Sequence, residues 1–331
     1  MRFDRYKTGR YINGNYLVKT SSYGSAFFAI HKRALRVGED LISEFPDSID
    51  LKITDRCSHG CPFCHESSTP KGKVLNLGKT KQILSQLPTK PIEIAIGGGN
   101  VLECLDETED ILDWLIERGH LPRLTITLED LKHTGNPKTD ERIGQMIFDK
   151  VGGLGISVTS LGSIKLKKKN GIFKPSLIDY TDFGNNLKFG PQVVYHVIAG
   201  ITPVDDIKDI IEYTKGSVLV LGYKQWGRAK NNKLPDLSKL RNYLSELIGS
   251  SSTDMCSLGF DNLAIEQLGI KEIIEENVWK GIYLGEEGTC SMYIDAVKGE
   301  FAKTSRSPER VGWDDIKLLD YYAQINPKRK I

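Results

Sequence analysis

Short stretches of alternating apolar and polar residues recur along the middle of the chain, separated by segments with a helical repeat of apolar residues. Alternation with a period of two predicts β-strands, and a repeat of three to four residues predicts helices. The strands predicted in this way are 49–54, 92–96, 123–128, 154–158, 192–198 and 217–222. The predicted helices are 80–87, 106–118, 140–150 and 205–213. Because the two kinds of segment alternate, we expect an α/β fold with a parallel sheet and right-handed crossovers.

The N-terminal residues follow a different pattern. Asn13 and Gly14 lie between apolar residues, which is a sequence signal for a β-hairpin. The segment 25–30 is a further strand candidate. Residues 1–46 are therefore predicted to form a short β extension.

The C-terminal third changes pattern again. The segment 237–247 has leucines at helical spacing, and 288–300 has the pattern of a hairpin with a Lys-Gly turn. A terminal helix is predicted over 313–322. We therefore expect a small α+β extension, and the prediction divides the chain into 1–46, 47–228 and 229–331.

The charge of the chain gives no reason to expect a polyanionic partner. The 331 residues contain 45 Lys and Arg against 43 Asp and Glu, for a net charge of +2. The lysine run at 165–169 has no interleaved aromatic residues and is expected to be a solvated loop, so a nucleic-acid partner is not expected. No apolar run reaches the roughly 18 residues that span a bilayer, and the first residues lack the apolar region of a secretory signal. We therefore predict a cytoplasmic protein without a membrane partner.

Cys57, Cys61 and Cys64 lie within eight residues, directly after the first strand of the alternating region. The six cysteines of the chain are unevenly distributed and do not suggest a disulfide framework. Thiolates this close together are typical ligands of one metal centre. Three thiolates on a four-iron cluster would leave one iron open to a substrate or cofactor. A zinc site with His59 or His65 as fourth ligand, and an electron-carrying iron–sulfur site, are the alternatives.

The spacing C-x3-C-x2-C after a first strand resembles that of the radical S-adenosylmethionine (SAM) enzymes. The resemblance implies a 4Fe–4S cluster on Cys57, Cys61 and Cys64, with SAM bound to the open iron. It also implies that one electron, supplied by a donor such as flavodoxin or ferredoxin, cleaves SAM to a 5′-deoxyadenosyl radical that abstracts hydrogen from a substrate. The six strands would form a partial (β/α)6 TIM-like barrel, with the chemistry at the C-terminal ends of the strands.

The resemblance extends to residues that bind SAM near the cluster. Phe63 fills the aromatic position before the last cysteine. Gly97, Gly98, Gly99 and Asn100 stand where the family usually has Gly-Gly-Glu. The glycines keep the expected backbone contact with SAM, whereas an Asn side chain accepts a hydrogen bond without supplying a charge.

Further SAM contacts are implied at the ends of the later strands. Ser157 and Thr159 share one face of the fourth strand and would suit the ribose and carboxylate. Ile198 and Gly200 match the segment that packs on the adenine, and Tyr223 follows the sixth strand, where backbone groups contact the adenine.

Three other polar residues near these strand ends have two interpretations each. His196 replaces the first glycine of the adenine segment, and we favour a hydrogen-bonded core histidine over a functional group. Lys224 and Arg228 either bind an anionic group of the substrate or are solvated.

The segments around Cys256 and Cys290 resemble a reduced SPASM or twitch extension. In the family this extension carries auxiliary clusters, often in enzymes that act on peptides. Two thiolates are too few for a normally ligated cluster, so we expect a single cluster in the protein. The remnant favours a peptide or protein side chain as substrate, with a nucleoside or other small molecule as the alternative.

Overall fold

The structure, a computed structural model, describes residues 9–23, 27–34, 41–131, 135–162, 192–214, 217–249, 257–283 and 285–326. Near the N-terminus, β1 (Gly9–Asn13), β2 (Tyr16–Tyr23) and β3 (Phe27–Ala34) form an antiparallel sheet in that order. A turn at Gly14 and Asn15 joins the first two strands, and Gly14 has a φ of 61°. The predicted hairpin is present, with its turn one residue later than the Asn-Gly pair suggested.

In the described part of the chain, ten strands form a second sheet. They are β4 (Ser48–Thr54), β5 (Glu93–Gly98), β6 (Leu121–Thr127), β7 (Gly153–Val158), β8 (Gln192–Ile198), β9 (Ser217–Leu221), β10 (Leu258–Phe260), β11 (Ser291–Asp295), β12 (Glu300–Ala302) and β13 (Val311–Gly312). Their order in the sheet is β10-β9-β8-β7-β6-β5-β4-β11-β12-β13. From β10 to β11, each strand in this order pairs in parallel with the next. Strand β12 pairs antiparallel with both β11 and β13.

The six predicted strands of the alternating region are present as β4 to β9, and the prediction of an α/β fold with a parallel sheet is confirmed. In the described residues the sheet is open, because its end strands β10 and β13 do not pair with each other. Strands from the C-terminal third extend the sheet on both sides, since β10 pairs with β9 and β11 pairs with β4. The division of the chain at residue 229 stays a prediction.

The helices of the described part are α1 (Leu77–Leu84), α2 (Leu105–Glu117), α3 (Pro137–Lys150), α4 (Val204–Thr214), α5 (Ser238–Gly249), α6 (Asn262–Leu268), α7 (Ile270–Ile273), α8 (Glu276–Ile282) and α9 (Leu318–Ile325). Helix α1 begins earlier than predicted because Asn76 caps it, accepting a hydrogen bond from the Lys79 amide. Helix α9 begins later than predicted, because β13 and a turn occupy 311–316. None of these helices is long and apolar enough to cross a membrane.

The two faces of the parallel sheet differ in chemistry. The outer face packs on the helices and is apolar and buried, with side chains such as Ile49, Leu51, Ile94, Ile96, Leu124, Ile126, Leu154 and Ile156. We call the opposite side the inner face; it presents Asp50, Lys52, Arg123, Thr125, Ser157 and His196, and the small residues Ala95, Gly97, Gly153 and Gly155. Small and polar residues do not make a packed core, so the inner face is where a site can form.

Candidate active site

The loop between β4 and α1 carries Cys57, Cys61 and Cys64, and we call it the cysteine loop. All three thiols are partly exposed, and none forms a disulfide. Burial raises the pKa of the Cys57 and Cys61 thiols, and neighbouring thiols raise both further, so the three groups lie near one another. In the described residues no three His, Cys, Asp or Glu side chains already converge as metal ligands. The donor set, three free thiols on one loop, fits a 4Fe–4S cluster once the side chains turn to a common centre.

Arg228, which follows β9, holds the cysteine loop from one side. Its Nε donates to the carbonyl oxygen of Cys61 at 2.9 Å, and its Nη1 donates to that of Ser68 at 2.6 Å. The backbone amide of Arg228 donates to the carbonyl oxygen of Cys64 at 3.0 Å. Gly227 has a φ of 56°, and a Cβ there would lie 2.8 Å from the Cys64 carbonyl oxygen. Two nitrogens of the Arg228 guanidinium and its backbone amide therefore clamp the loop backbone between Cys61 and Ser68.

The glycines at the end of β5 hold the start of the cysteine loop from the other side. A Cβ on Gly98 would lie 2.4 Å from the carbonyl oxygen of Thr54, and one on Gly99 would lie 2.1 Å from that of Arg56. These two glycines thus let two backbones approach closely. Around Gly97, in contrast, no atom lies within 4 Å of a Cβ position. Gly97 therefore leaves open space beside the loop.

Polar side chains fix the next residues of the loop. Glu103 accepts a hydrogen bond from the Ser58 amide at 2.8 Å. The His59 Nε2 lies 2.9 Å from Asp130 Oδ1, and Asn100 Nδ2 donates to the same oxygen at 2.8 Å. Asn100, predicted to contact SAM, has its side chain engaged in this network.

A buried ion cluster joins the cysteine loop to the C-terminal hairpin. The Lys52 side chain on β4 is only 3% exposed, and its Nζ lies 2.6 Å from Asp55 and from Glu66, and 3.2 Å from Asp295. Asp55 and Glu66 belong to the cysteine loop, and Asp295 ends β11. We call these four residues the Lys52 cluster. Sequence analysis missed it, although the alternation in β4 places a lysine on the inner face.

The predicted SAM contacts on β7 are placed at a strand end. Ser157 and Thr159 are half-buried hydroxyl groups on the inner side, and neither has a hydrogen bond with the described residues. Phe63 is half-buried in the cysteine loop. These three, with Gly97, are therefore accessible to a ligand.

The predicted adenine contacts are more strongly engaged. Both backbone groups of Tyr223 pair with the side-chain amide of Gln267, at 2.8 and 3.0 Å. Gly200 has a φ of 77°, and a Cβ there would lie 2.3 Å from Pro235. Ile198 is half-buried at the end of β8. The roles of these residues in binding SAM stay predictions.

The inner face also carries an acid and a histidine that have no hydrogen bond or ion pair with the described residues, Asp50 and His196. Asp50 is exposed, yet enough protein surrounds its carboxyl that loss of solvation raises its pKa to about 6, against the effect of Lys224. Burial, and then the charge of Arg123, lower the pKa of His196 to about 4, so the ring is neutral at pH 7. We had expected a hydrogen-bonded core histidine, and the described residues provide no hydrogen-bond partner for His196.

The remaining predicted residues lie elsewhere. Cys256 and the lysine run 165–169 fall outside the described residues. Cys290 is buried, and Tyr16 donates a hydrogen bond to its sulfur at 3.6 Å. Cys104 is 3% exposed at the start of α2, which agrees with a structural role.

No protein-family model matches the sequence, and no curated protein matches it. Solved structures do match. The chain shares its fold with SuiB. SuiB from Streptococcus suis, bound to the precursor peptide SuiA, aligns with a TM-score of 0.55 and 15% identity over 88% of this chain and 68% of SuiB. SuiB bound to S-adenosylmethionine gives 0.54 and 16% over 86% and 69%.

A third structure, BtrN in complex with AdoMet and 2-DOIA, aligns with a TM-score of only 0.30 and 15% identity over 48% of this chain and 58% of that chain. At identities this low, the likeness to SuiB is a likeness of fold.

Proposed function

We propose that the protein is a radical SAM enzyme whose single 4Fe–4S cluster is held by Cys57, Cys61 and Cys64. The observation that carries the proposal is the cysteine loop itself: three free thiols at the C-terminal end of β4, clamped in place by Arg228. When bound, the cluster would supply one electron for reductive cleavage of SAM and leave one iron open to SAM. The fold shared with SuiB, which has been crystallised with S-adenosylmethionine, supports this assignment.

The residues around the loop would prepare the site. Arg228 holds the backbone carbonyls of Cys61 and Ser68, so the loop keeps its shape before a cluster arrives. Gly97 leaves space beside it, and Ser157 and Thr159 offer hydroxyl groups for the polar parts of SAM. The fixed backbone would keep the thiols close enough for one cluster.

A partial barrel is the sheet geometry that we propose for this site. The strands β4 and β9 are separated by five strand spacings, which would be about 24 Å in a flat sheet. Arg228 after β9 nevertheless binds the loop after β4, and Lys224 donates to Ser305, beyond β12, at 3.0 Å. These contacts support a sheet that curves and brings its strand ends around one space.

The substrate that we propose is a peptide or protein side chain, with a small molecule as the alternative. The support is the likeness to SuiB, whose crystal structure contains its precursor peptide SuiA. An electron donor such as flavodoxin or ferredoxin would supply the reducing equivalent.

The test is anaerobic reconstitution of the full chain with iron and sulfide, followed by incubation with SAM and dithionite. We expect about four iron atoms per chain and release of 5′-deoxyadenosine. The Cys61→Ala variant should lose both, whereas Cys104→Ala, which removes a buried thiol outside the loop, should keep both. Iron binding without SAM cleavage would leave only an electron carrier, and zinc in place of iron would make the site structural.

A further inference from the structure

The inner face leaves room for a molecule beside the predicted SAM site. Four of its positions, on β5 and β7, are Ala95, Gly97, Gly153 and Gly155. A Cβ on Gly155 would lie 2.5 Å from the His196 ring, so that ring packs closely against β7. The Arg123 and His196 side chains occupy the space over Gly153 and Gly155, whereas the space over Gly97 is open.

Two polar groups face this space without a partner. Neither Asp50 nor His196 has a hydrogen bond or ion pair with any residue of the described ranges. Asp50 is exposed on the strand, yet protein surrounds its carboxyl, so the carboxylate is open to a ligand. An unpaired acid with a raised pKa is typical of a group that serves a ligand.

Charged groups surround Asp50, but in the described residues no cation contacts it. Three nearby carboxylates raise the pKa of Asp50, and each has partners of its own. Glu93 pairs with Arg123 and Glu287 pairs with Arg306, each at 2.9 Å. Asp261 accepts hydrogen bonds from the Gly222 and Ala264 amides at 2.9 and 2.7 Å.

Lys224, from the loop after β9, is the one cation among the strongest influences on Asp50. Its Nζ donates to Ser305 at 3.0 Å, and the described part of the chain shows no ion pair between Lys224 and Asp50. Asp50 thus keeps a negative charge that no cation of the described residues neutralises by contact. A ligand that brings a positive charge would be attracted, and one that brings a second negative charge would be repelled.

We propose that the substrate carries a positively charged group, an amine or a guanidinium, and that Asp50 binds this group on the inner face. This inference rests on the proposed function and names the substrate class of that same site. The charged group could belong to a lysine or arginine side chain of a peptide or to a small-molecule amine. His196, four strands away on β8, is unprotonated near pH 7 and so brings no positive charge that would compete for Asp50.

The test uses the reconstituted full chain and saturation-transfer difference NMR with four probes. A capped Gly-Lys-Gly tripeptide and agmatine represent the peptide and small-molecule sources of a cation, and a capped Gly-norleucine-Gly tripeptide and butanol are the neutral matches. We expect the cations to bind and the neutral probes to bind at least tenfold more weakly. In Asp50→Asn the cations should lose at least tenfold in affinity, which is about 1.4 kcal/mol.

Asp314→Asn is the matched control, because it removes one negative charge from an exposed surface pair with Lys79. It should bind the cations as the wild type does. The stronger of the two cationic probes identifies the source. Cation binding that is unchanged in Asp50→Asn, or lost equally in both variants, would overturn the inference.

The two proposals fail separately. Release of 5′-deoxyadenosine, with cation binding that does not depend on Asp50, would overturn this inference and leave the radical SAM assignment in place. Asp50-dependent binding in a protein that does not cleave SAM would overturn the assignment and leave a cation-binding inner face.

Discussion

The outer and inner faces of the parallel sheet come from the same strands and have opposite chemistry. In β4, Ile49, Leu51 and Ile53 are buried against the helices, while Asp50 and Lys52 alternate with them on the inner side. A parallel sheet covered on both faces would have nearly continuous apolar strands. From β4 to β7 one face builds the fold and the other carries polar and small residues, whereas β8 and β9 also place apolar residues such as Val194 and Leu219 on the inner side. Each prediction below tests that division.

The largest effect is expected on the inner face, in the Lys52 cluster. Lys52→Met leaves three carboxylates near one another without their cation, so we expect a loss of about 3–5 kcal/mol in the free energy of unfolding. Urea denaturation of the wild type and of Lys52→Met measures this loss in the free energy of unfolding. Lys79→Met, which breaks a surface pair with Asp314, should cost below about 1 kcal/mol. Equal losses would mean that the Lys52 cluster does not join the loop to the hairpin.

Adjacent residues on β6 compare the two faces directly. Leu124 is fully buried on the outer face, and Leu124→Ala should cost about 3 kcal/mol in the free energy of unfolding. Its neighbour Thr125 is half-buried on the inner face, and Thr125→Ala should cost about 0.5 kcal/mol or less. Denaturation midpoints of the two variants measure the difference. Similar costs at both positions would show that the inner face is packed like a core.

Arg228→Ala should affect the cysteine loop more than the fold. The variant loses hydrogen bonds from a guanidinium to two backbone carbonyls, at a cost of about 2 kcal/mol. We expect its iron content after reconstitution to fall to half of the wild-type value or less. Lys230→Ala changes an exposed residue of the loop after β9, which also carries Arg228, and this variant should reconstitute fully. A fully loaded Arg228→Ala protein would show that the clamp is dispensable.

Asp50→Asn should have the smallest effect and the opposite sign. The pKa of Asp50 in the folded protein, about 6, lies above its ordinary value of 3.8, so folding holds the proton more tightly and the free energy of unfolding falls as the pH rises through this range. Asp50→Asn has no ionisable carboxyl at this position, so its folded state does not carry the free-energy cost of that ionisation. It should be more stable than the wild type by about 1 kcal/mol above pH 6, allowing for screening at an exposed group.

The gain of Asp50→Asn should vanish below pH 4, where both proteins are neutral at this position. Melting temperatures of the wild type and of Asp50→Asn at pH 4 and 7.5 measure this gain in stability. A gain that does not change with pH would show that the carboxylate is solvated normally.

The outer face was predictable because its buried apolar residues recur at every second position of each strand. The strand at 49–54 was placed within one residue, and the cysteine spacing identified the loop that follows it. The contact of Arg228 with that loop was not predictable, since it joins positions 167 residues apart. The contact of Asp295 with Lys52 was not predictable either, since it depends on β11 pairing with β4. Tyr223 shows the converse limit: its sequence position suggested backbone contacts with SAM, and those backbone groups already pair with Gln267.

The central claim is that the cysteine loop holds a cluster with one iron left open for SAM. Electron paramagnetic resonance of the dithionite-reduced, reconstituted protein, recorded before and after addition of SAM, tests it most directly. The account predicts a 4Fe–4S signal whose g values change when SAM binds, and no such signal in Cys61→Ala. A cluster signal that SAM leaves unchanged, or one that survives in Cys61→Ala, would contradict the claim.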